Sequence, residues 1–219
     1  MPTFTIIQQI CIWALPVLFA ITLHEAAHAY VANLCGDTTA KMLGRMSLNP
    51  IKHIDPMGTV LLPIVIGFLT QFSFLIGYAK PVPINWNHLK SPNKDMVLVA
   101  LAGPFANFFM AFLWALCFKI VFVLNLHMSS AALFIIMTSK AGVSINLALA
   151  FLNLLPIPPL DGSRVISALL PKKQALAYAK VEPYGFFILI LLLATNVLTQ
   201  LLTPLMNAGS QFLAFIFQL

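Results

Sequence analysis

Long apolar stretches separated by short polar loops make up most of the chain. A membrane-spanning helix needs about 20 consecutive, mainly apolar residues. Stretches of at least that length occur at about residues 4–34, 96–124, 131–155 and 184–203. The pattern therefore predicts an all-α polytopic membrane protein with four spanning helices.

Two further apolar stretches are less regular. The stretch at 57–78 is interrupted by residues that break a helix or carry polar groups: Pro63, Gly67, Thr70, Gln71 and Ser73. Such interruptions favour a re-entrant or hairpin segment over a clean spanning helix. The stretch at 205–219 follows Pro204 and is short, so we expect a short span or an interfacial helix there.

The composition agrees with a chain that lies in a lipid bilayer. Hydrophobic residues make up 60% of the 219 residues and charged residues only 8%, and the mean hydropathy is +0.94. A soluble domain carries roughly 25% charged residues. The net charge of +6 comes from lysines and arginines scattered in short loops. These charges indicate contact with lipid headgroups, and we expect no nucleic-acid partner.

The distribution of basic residues predicts the topology, because cytoplasmic loops collect Lys and Arg. Most of them lie in residues 35–95 and 160–183, and none lies before the first span or in residues 125–130. Every basic loop is cytoplasmic only if the stretch at 57–78 enters the membrane and returns. We therefore expect an external N-terminus and a re-entrant second segment.

The candidate chemistry begins with the motif HEAAH, which interrupts the first apolar helix at residues 24–28. In HExxH on a helix, the two histidines project from one face and can bind one Zn²⁺, while the glutamate reaches the metal-bound water. Zinc lowers the pKa of that water toward about 7, and the carboxylate accepts its proton. The motif therefore predicts His24 and His28 as metal ligands and Glu25 as the general base of a peptidase.

A catalytic zinc site usually has a third protein ligand, and Asp161 is the best candidate. It follows Pro156, Pro158 and Pro159, which can unwind a helix and bring the carboxylate inward. Both His24 and Asp161 lie near the C-terminal ends of apolar helices. The two helices must then run in the same direction, which again requires that the stretch at 57–78 does not span.

Several motifs together resemble the site-2 protease family of intramembrane zinc metalloproteases (peptidase family M50), in particular its compact bacterial branch without PDZ or CBS domains. The motifs are LHEAAHAYVANLCGD at 23–37, GRMSLNPIKHIDPMGT at 44–59, GYAKPVPIN at 77–85, LAGPFANF at 101–108 and NLLPIPPLDGSRV at 153–165. They occur in order over nearly the whole region between residues 20 and 170.

The resemblance implies one Zn²⁺ per chain, bound by His24, His28 and Asp161, with Glu25 as the catalytic residue. It also implies cleavage of transmembrane protein substrates near the cytosolic side of a bacterial cytoplasmic membrane, as in regulated intramembrane proteolysis. We expect a single membrane-embedded domain over residues 1–219, with a catalytic core at about 4–170. The sequence leaves the oligomeric state open.

A few polar residues near these motifs have less specific signals. The amide of Asn153 could bind the substrate backbone or an oxyanion, and His53 could contact the substrate or lie near the metal. A helix-to-helix hydrogen bond is an equally good interpretation of Asn153 and the better one of Asn146. Gly103 and Asn107 are expected to allow close helix packing beside the site.

Two other classes of protein could use an intramembrane group of His and carboxylate side chains. A zinc or divalent-cation transporter would place such groups along several helices across the bilayer, whereas here they cluster at one depth. A membrane scaffold with structural zinc would have a fourth protein ligand, usually Cys, and none is evident. The sequence therefore favours the metalloprotease.

Overall fold

The computed structural model describes residues 5–61, 65, 80–124 and 130–219, and within them it is helical with no strand. We number the α-helices in chain order. They are α1 (Ile6–Leu34), α2 (Thr39–Met42), α3 (Pro92–Val123), α4 (Ser130–Asn153), α5 (Asp161–Leu169), α6 (Lys172–Ala179), α7 (Gly185–Ala194) and α8 (Val197–Phe217).

Four helical runs in the described residues are long and apolar enough to cross a membrane: Ile7–Leu34, Pro92–Val123, Ala131–Asn153 and Lys172–Ala194. They confirm the predicted all-α polytopic membrane protein. The fourth run comprises α6, a short 3-10 turn and α7.

The boundaries predicted for the C-terminal region were wrong. The helix expected at 184–203 ends at Ala194, and Asn196 adopts a left-handed conformation with φ of 59°. Asparagine tolerates this conformation better than most residues. The residues predicted to form a separate short segment at 205–219 instead belong largely to α8, which begins at Val197.

Helix α3 lies at the centre of the fold, where it packs against α1, α4, α5 and α8. Small residues allow this close packing. Ala111 and Ala115 of α3 form a buried cluster with Leu147 of α4 and Leu213 of α8. At Gly142 of α4, an added Cβ atom would lie only 2.3 Å from the indole ring of Trp114.

The segment of residues 80–90, which we call the return segment, lies against the C-terminal end of α1. The Lys90 N–H donates a hydrogen bond to the carbonyl oxygen of Cys35 (3.0 Å), and the Lys80 N–H donates to that of His53 (3.0 Å). The predicted re-entrant stretch at 57–78 lies mostly outside the described residues, so its path stays a prediction. Its flanks are both at the C-terminal end of α1.

The connection after α4 brings Asp161 back to the helical core. The chain leaves α4 at Asn153, and α5 begins at Asp161. An added Cβ atom at Gly162 would lie 2.3 Å from the carbonyl oxygen of Leu154. The first turn of α5 therefore packs directly on the chain that leaves α4, and this close approach positions Asp161.

Candidate metal centre

The side chains of His24, His28 and Asp161 converge between α1 and the start of α5. One potential ligand atom from each lies within 4.8 Å of the other two. The Asp161 Oδ2 atom is 3.2 Å from His24 Nε2 and 3.3 Å from His28 Nε2, and the two Nε2 atoms are 3.1 Å apart. The structure thus brings together the three residues that the sequence predicted as ligands.

The second ring nitrogen of each histidine has its own partner. His28 Nδ1 donates a hydrogen bond to the carbonyl oxygen of Val99 (2.7 Å). His24 Nδ1 lies 2.6 Å from Asn107 Oδ1. Since both oxygens are acceptors, each Nδ1 donates a proton to its partner, and the Nε2 atom of each ring faces the centre, where it could bind a cation. This is the arrangement that metal-binding histidines require.

These atoms fit a bound cation and are unfavourable without one. The two Nε2 atoms face each other at 3.1 Å, and within the described residues the buried Asp161 Oδ2 has no hydrogen-bond partner. A buried acceptor without a partner costs about 1–3 kcal/mol. Two imidazole nitrogens and one carboxylate oxygen are a donor set typical of catalytic zinc sites.

Gly103 of α3 keeps the centre open. An added Cβ atom there would lie 2.3 Å from His28 Nε2 and 2.7 Å from His24 Nε2. Zinc–nitrogen bonds are about 2.0–2.1 Å long, so this Cβ atom would fall close to the position of a shared ion. The sequence assigned Gly103 to helix packing, and the structure adds that its missing side chain leaves open the space beside the two Nε2 atoms.

Asn107 has a role that the sequence analysis missed. Its side chain is fully buried, and its Nδ2 donates to the carbonyl oxygen of Ala20 and to Asn146 Oδ1. These two bonds orient the amide so that Oδ1 faces His24. Asn146 forms the expected helix-to-helix bond, whereas Asn107 also orients a candidate ligand. The sequence signal for this contact was the polar side chain of Asn107, one turn after Gly103 in an otherwise apolar helix.

Glu25 lies next to the candidate ligands in sequence and is held by the return segment. Its Oε2 accepts a hydrogen bond from the backbone N–H of Val82 at 2.7 Å. A general base must lie within hydrogen-bond reach of the proton that it accepts, and this contact restricts the position of the Glu25 carboxylate. The sequence could not predict this contact, because its donor is a backbone N–H group and not a side chain.

Asp37 anchors the other end of the return segment. It is fully buried, and its carboxylate accepts hydrogen bonds from Thr39 and from the backbone N–H of Asn85, with His88 nearby. Burial alone would raise the pKa of Asp37, but the hydrogen bonds from Thr39, Asn85 and His88 outweigh burial and lower it. This anchor is therefore ionised at neutral pH and weakens only as the pH falls through that lowered pKa.

His53 and Asn153 are not among the three residues that converge at the centre. His53 is buried, and its Nε2 lies 2.8 Å from the carbonyl oxygen of Ser47. Asn153 Nδ2 donates to the carbonyl oxygen of Leu149, one turn earlier in its own helix. Within the described residues, neither side chain is hydrogen-bonded to His24, His28 or Asp161, and their roles in substrate binding stay predictions.

Comparison with known proteins identifies relatives over most of the chain. A family model described as "Peptidase family M50" matches residues 118–195. The "Putative zinc metalloprotease YwhC" of Bacillus subtilis (strain 168) is 38% identical over 201 residues, which cover 91% of this chain and 88% of that protein. The "Putative zinc metalloprotease Rip2" of Mycolicibacterium smegmatis is 32% identical over 84% of this chain and 66% of its own length. No solved structure gives a significant match.

Proposed function

The chain belongs to peptidase family M50 and is a membrane-embedded zinc metalloprotease, and we propose that it hydrolyses peptide bonds in or near transmembrane segments of membrane proteins. Its cofactor is Zn²⁺. The observation that carries the proposal is the convergence of His24, His28 and Asp161 within a membrane-spanning core. Ionisable groups at such positions are costly and are functional by default.

The roles of the individual residues follow from this geometry. His24, His28 and Asp161 would hold the metal, with Asn107 and Val99 fixing the orientations of the two imidazole rings. The bound zinc would supply Lewis-acid activation of a water molecule. Glu25 would accept the proton, while the Val82 N–H holds its carboxylate in place.

We also propose an orientation in the membrane. The candidate centre lies toward the C-terminal end of α1. At this end, α2, the loop after it and the return segment carry five basic residues: Lys41, Arg45, Lys52, Lys80 and Lys90. Basic loops favour the cytoplasmic side, which puts the active site toward the cytosol and the N-terminus outside. A single domain over residues 1–219 in a bacterial cytoplasmic membrane remains part of the same proposal.

Membership of peptidase family M50 favours a protease over the two alternatives, a cation transporter and a zinc-binding scaffold. The structure supports the same choice in two ways. In the described residues, the one group of His, Cys, Asp and Glu that could hold a metal contains three ligands and no cysteine. The motif also places the carboxylate of Glu25 beside this group, where it could transfer a proton. Neither a closed structural zinc site nor a permeation path needs such a carboxylate.

The test compares wild type with Glu25→Gln, each reconstituted with a transmembrane protein substrate. We expect the variant to retain zinc and to cleave at least about 100-fold more slowly, because a general base contributes 10²–10⁴-fold. Glu182→Gln is the matched control. It removes the carboxylate that pairs with Arg164, which is not one of the candidate ligands, and should leave cleavage nearly unchanged. Equal cleavage by wild type and Glu25→Gln would refute the proposed role.

A further inference from the structure

A polar cavity lies beside the return segment, at the same end of the molecule as the candidate metal centre. It has a volume of about 320 Å³. We call it the basic pocket, and its lining residues in the described part of the chain are Leu43, Gly44, Arg45, Ile51, Lys52, Ile54 and Lys80. Three of these side chains are cationic and none is acidic. The pocket therefore concentrates positive charge.

No carboxylate side chain forms an ion pair with Arg45, Lys52 or Lys80 in the described residues. The sequence has only six acidic residues, and all of them lie in the described ranges. Each has another partner: Asp161 contacts the two histidines, Glu182 pairs with Arg164, and Glu25, Asp37, Asp55 and Asp95 accept hydrogen bonds from backbone N–H groups. The three cations of the pocket therefore have no directly paired carboxylate and can pair with an anionic group of another molecule.

Two cations of the pocket are positioned by hydrogen bonds to backbone carbonyl oxygens. Arg45 Nη2 donates to the carbonyl oxygen of Lys80 (2.8 Å), and Lys52 Nζ donates to that of Gly44 (2.7 Å). Arg45 Nε is buried and has no hydrogen-bond partner in the described residues. A guanidinium group held in a fixed orientation suits the oxygens of a phosphate group.

The surroundings of the pocket favour a lipid as the source of that phosphate. Two of the lining side chains are exposed although they are large and apolar, Leu43 at 63% and Ile51 at 77%. The neighbouring Met42 is 81% exposed. Basic groups beside exposed apolar side chains, close to the end of a spanning helix, are typical of surfaces that bind anionic lipids at the membrane interface.

We propose that the basic pocket binds the headgroup phosphate of an anionic phospholipid, with Leu43 and Ile51 against its acyl chains. The three cations supply the charge, and Arg45 additionally supplies directed N–H donors. The inference does not depend on the proposed proteolysis, since none of these residues belongs to the candidate metal centre.

The test measures binding of phosphatidylglycerol to the purified full-length chain by native mass spectrometry. Lys52→Gln/Lys80→Gln removes two exposed cations and leaves Arg45 and its hydrogen bonds in place. Each basic residue near an anionic surface contributes about 1 kcal/mol, so we expect binding to weaken by about tenfold or more. Lys172→Gln/Lys173→Gln is the matched control, because it removes the same charge from α6. It should change binding by less than about twofold.

Two further ligands identify the source of the phosphate. Zwitterionic phosphatidylcholine should bind more weakly than phosphatidylglycerol, and inorganic phosphate at millimolar concentration should not displace the bound lipid. The inference is overturned if both double variants weaken binding equally, since the lipid would then respond to net charge and not to this pocket. Equal binding of the two lipids, or displacement by inorganic phosphate, would also overturn it.

Discussion

The candidate metal ligands and the candidate base are held by different parts of the molecule. Buried contacts with α3 orient the ring of His24 through Asn107 and that of His28 through Val99. Glu25 depends on one backbone N–H of the return segment, which lies outside the helices at that point. The difference implies that metal binding and proton transfer can be disrupted separately.

The largest expected effect comes from filling the space that Gly103 leaves open. In Gly103→Ala, the new Cβ atom would take up the space between the two Nε2 atoms. Because zinc needs bonds of about 2.0–2.1 Å to these nitrogens, we expect loss of both zinc and cleavage. Metal content by plasma mass spectrometry and cleavage of a reconstituted substrate measure the two effects.

Gly209→Ala in α8 is the control for that substitution. Its added Cβ atom would meet only side-chain atoms of Leu147 and Phe151, the nearest at 3.2 Å. These side chains can shift slightly, so zinc content and activity should remain close to those of wild type. Full zinc loading of Gly103→Ala would show that the ion does not lie between the two histidines.

An intermediate effect is expected from the partner of His24. Asn107→Ala removes the acceptor that fixes the imidazole ring, and loss of such partners typically lowers metal affinity or activity by about 10–100-fold. Competition with a chelator of known affinity measures the change. Asn146→Ala leaves the bond to His24 in place and should have a smaller effect. An equal or larger effect of Asn146→Ala would contradict the role of Asn107.

The smallest expected effect comes from the return segment and should spare the metal. Val82→Pro removes the N–H that binds Glu25, and hydrogen bonds to charged groups contribute about 1.5–3 kcal/mol. We expect kcat to fall at least about tenfold, with zinc content and KM changed by less than about twofold. Val82→Ala loses side-chain packing but retains the N–H. If both variants lose kcat equally, packing and not the hydrogen bond is responsible.

The sequence predicted the helical membrane fold and the residues that converge at the centre. The motif HEAAH places His24 and His28 on the same side of α1, because residues four apart lie on one face of a helix. The prolines before Asp161 mark where the chain turns back toward α1. These features are local or follow from hydrophobic length, so a single sequence is enough to read them.

Features that depend on tertiary contact were not predictable in the same way. The bond between Val82 and Glu25 uses a backbone N–H, which every residue except proline carries. Asn107 was recognised as a packing residue, but its contact with His24 depends on the rotation of α3 against α1. The end of α7 was missed because apolar residues continue on both sides of Asn196, where the backbone turns.

The most direct test of the account is whether Asp161 is a zinc ligand together with His24 and His28. Zinc X-ray absorption of wild type should show only nitrogen and oxygen ligands, at about 2.0–2.2 Å. In Asp161→Cys, a sulfur ligand should appear at about 2.3 Å. It should be absent in Asp95→Cys, which adds a thiol at the start of α3. A zinc-loaded Asp161→Cys protein with no sulfur ligand would contradict the proposed centre.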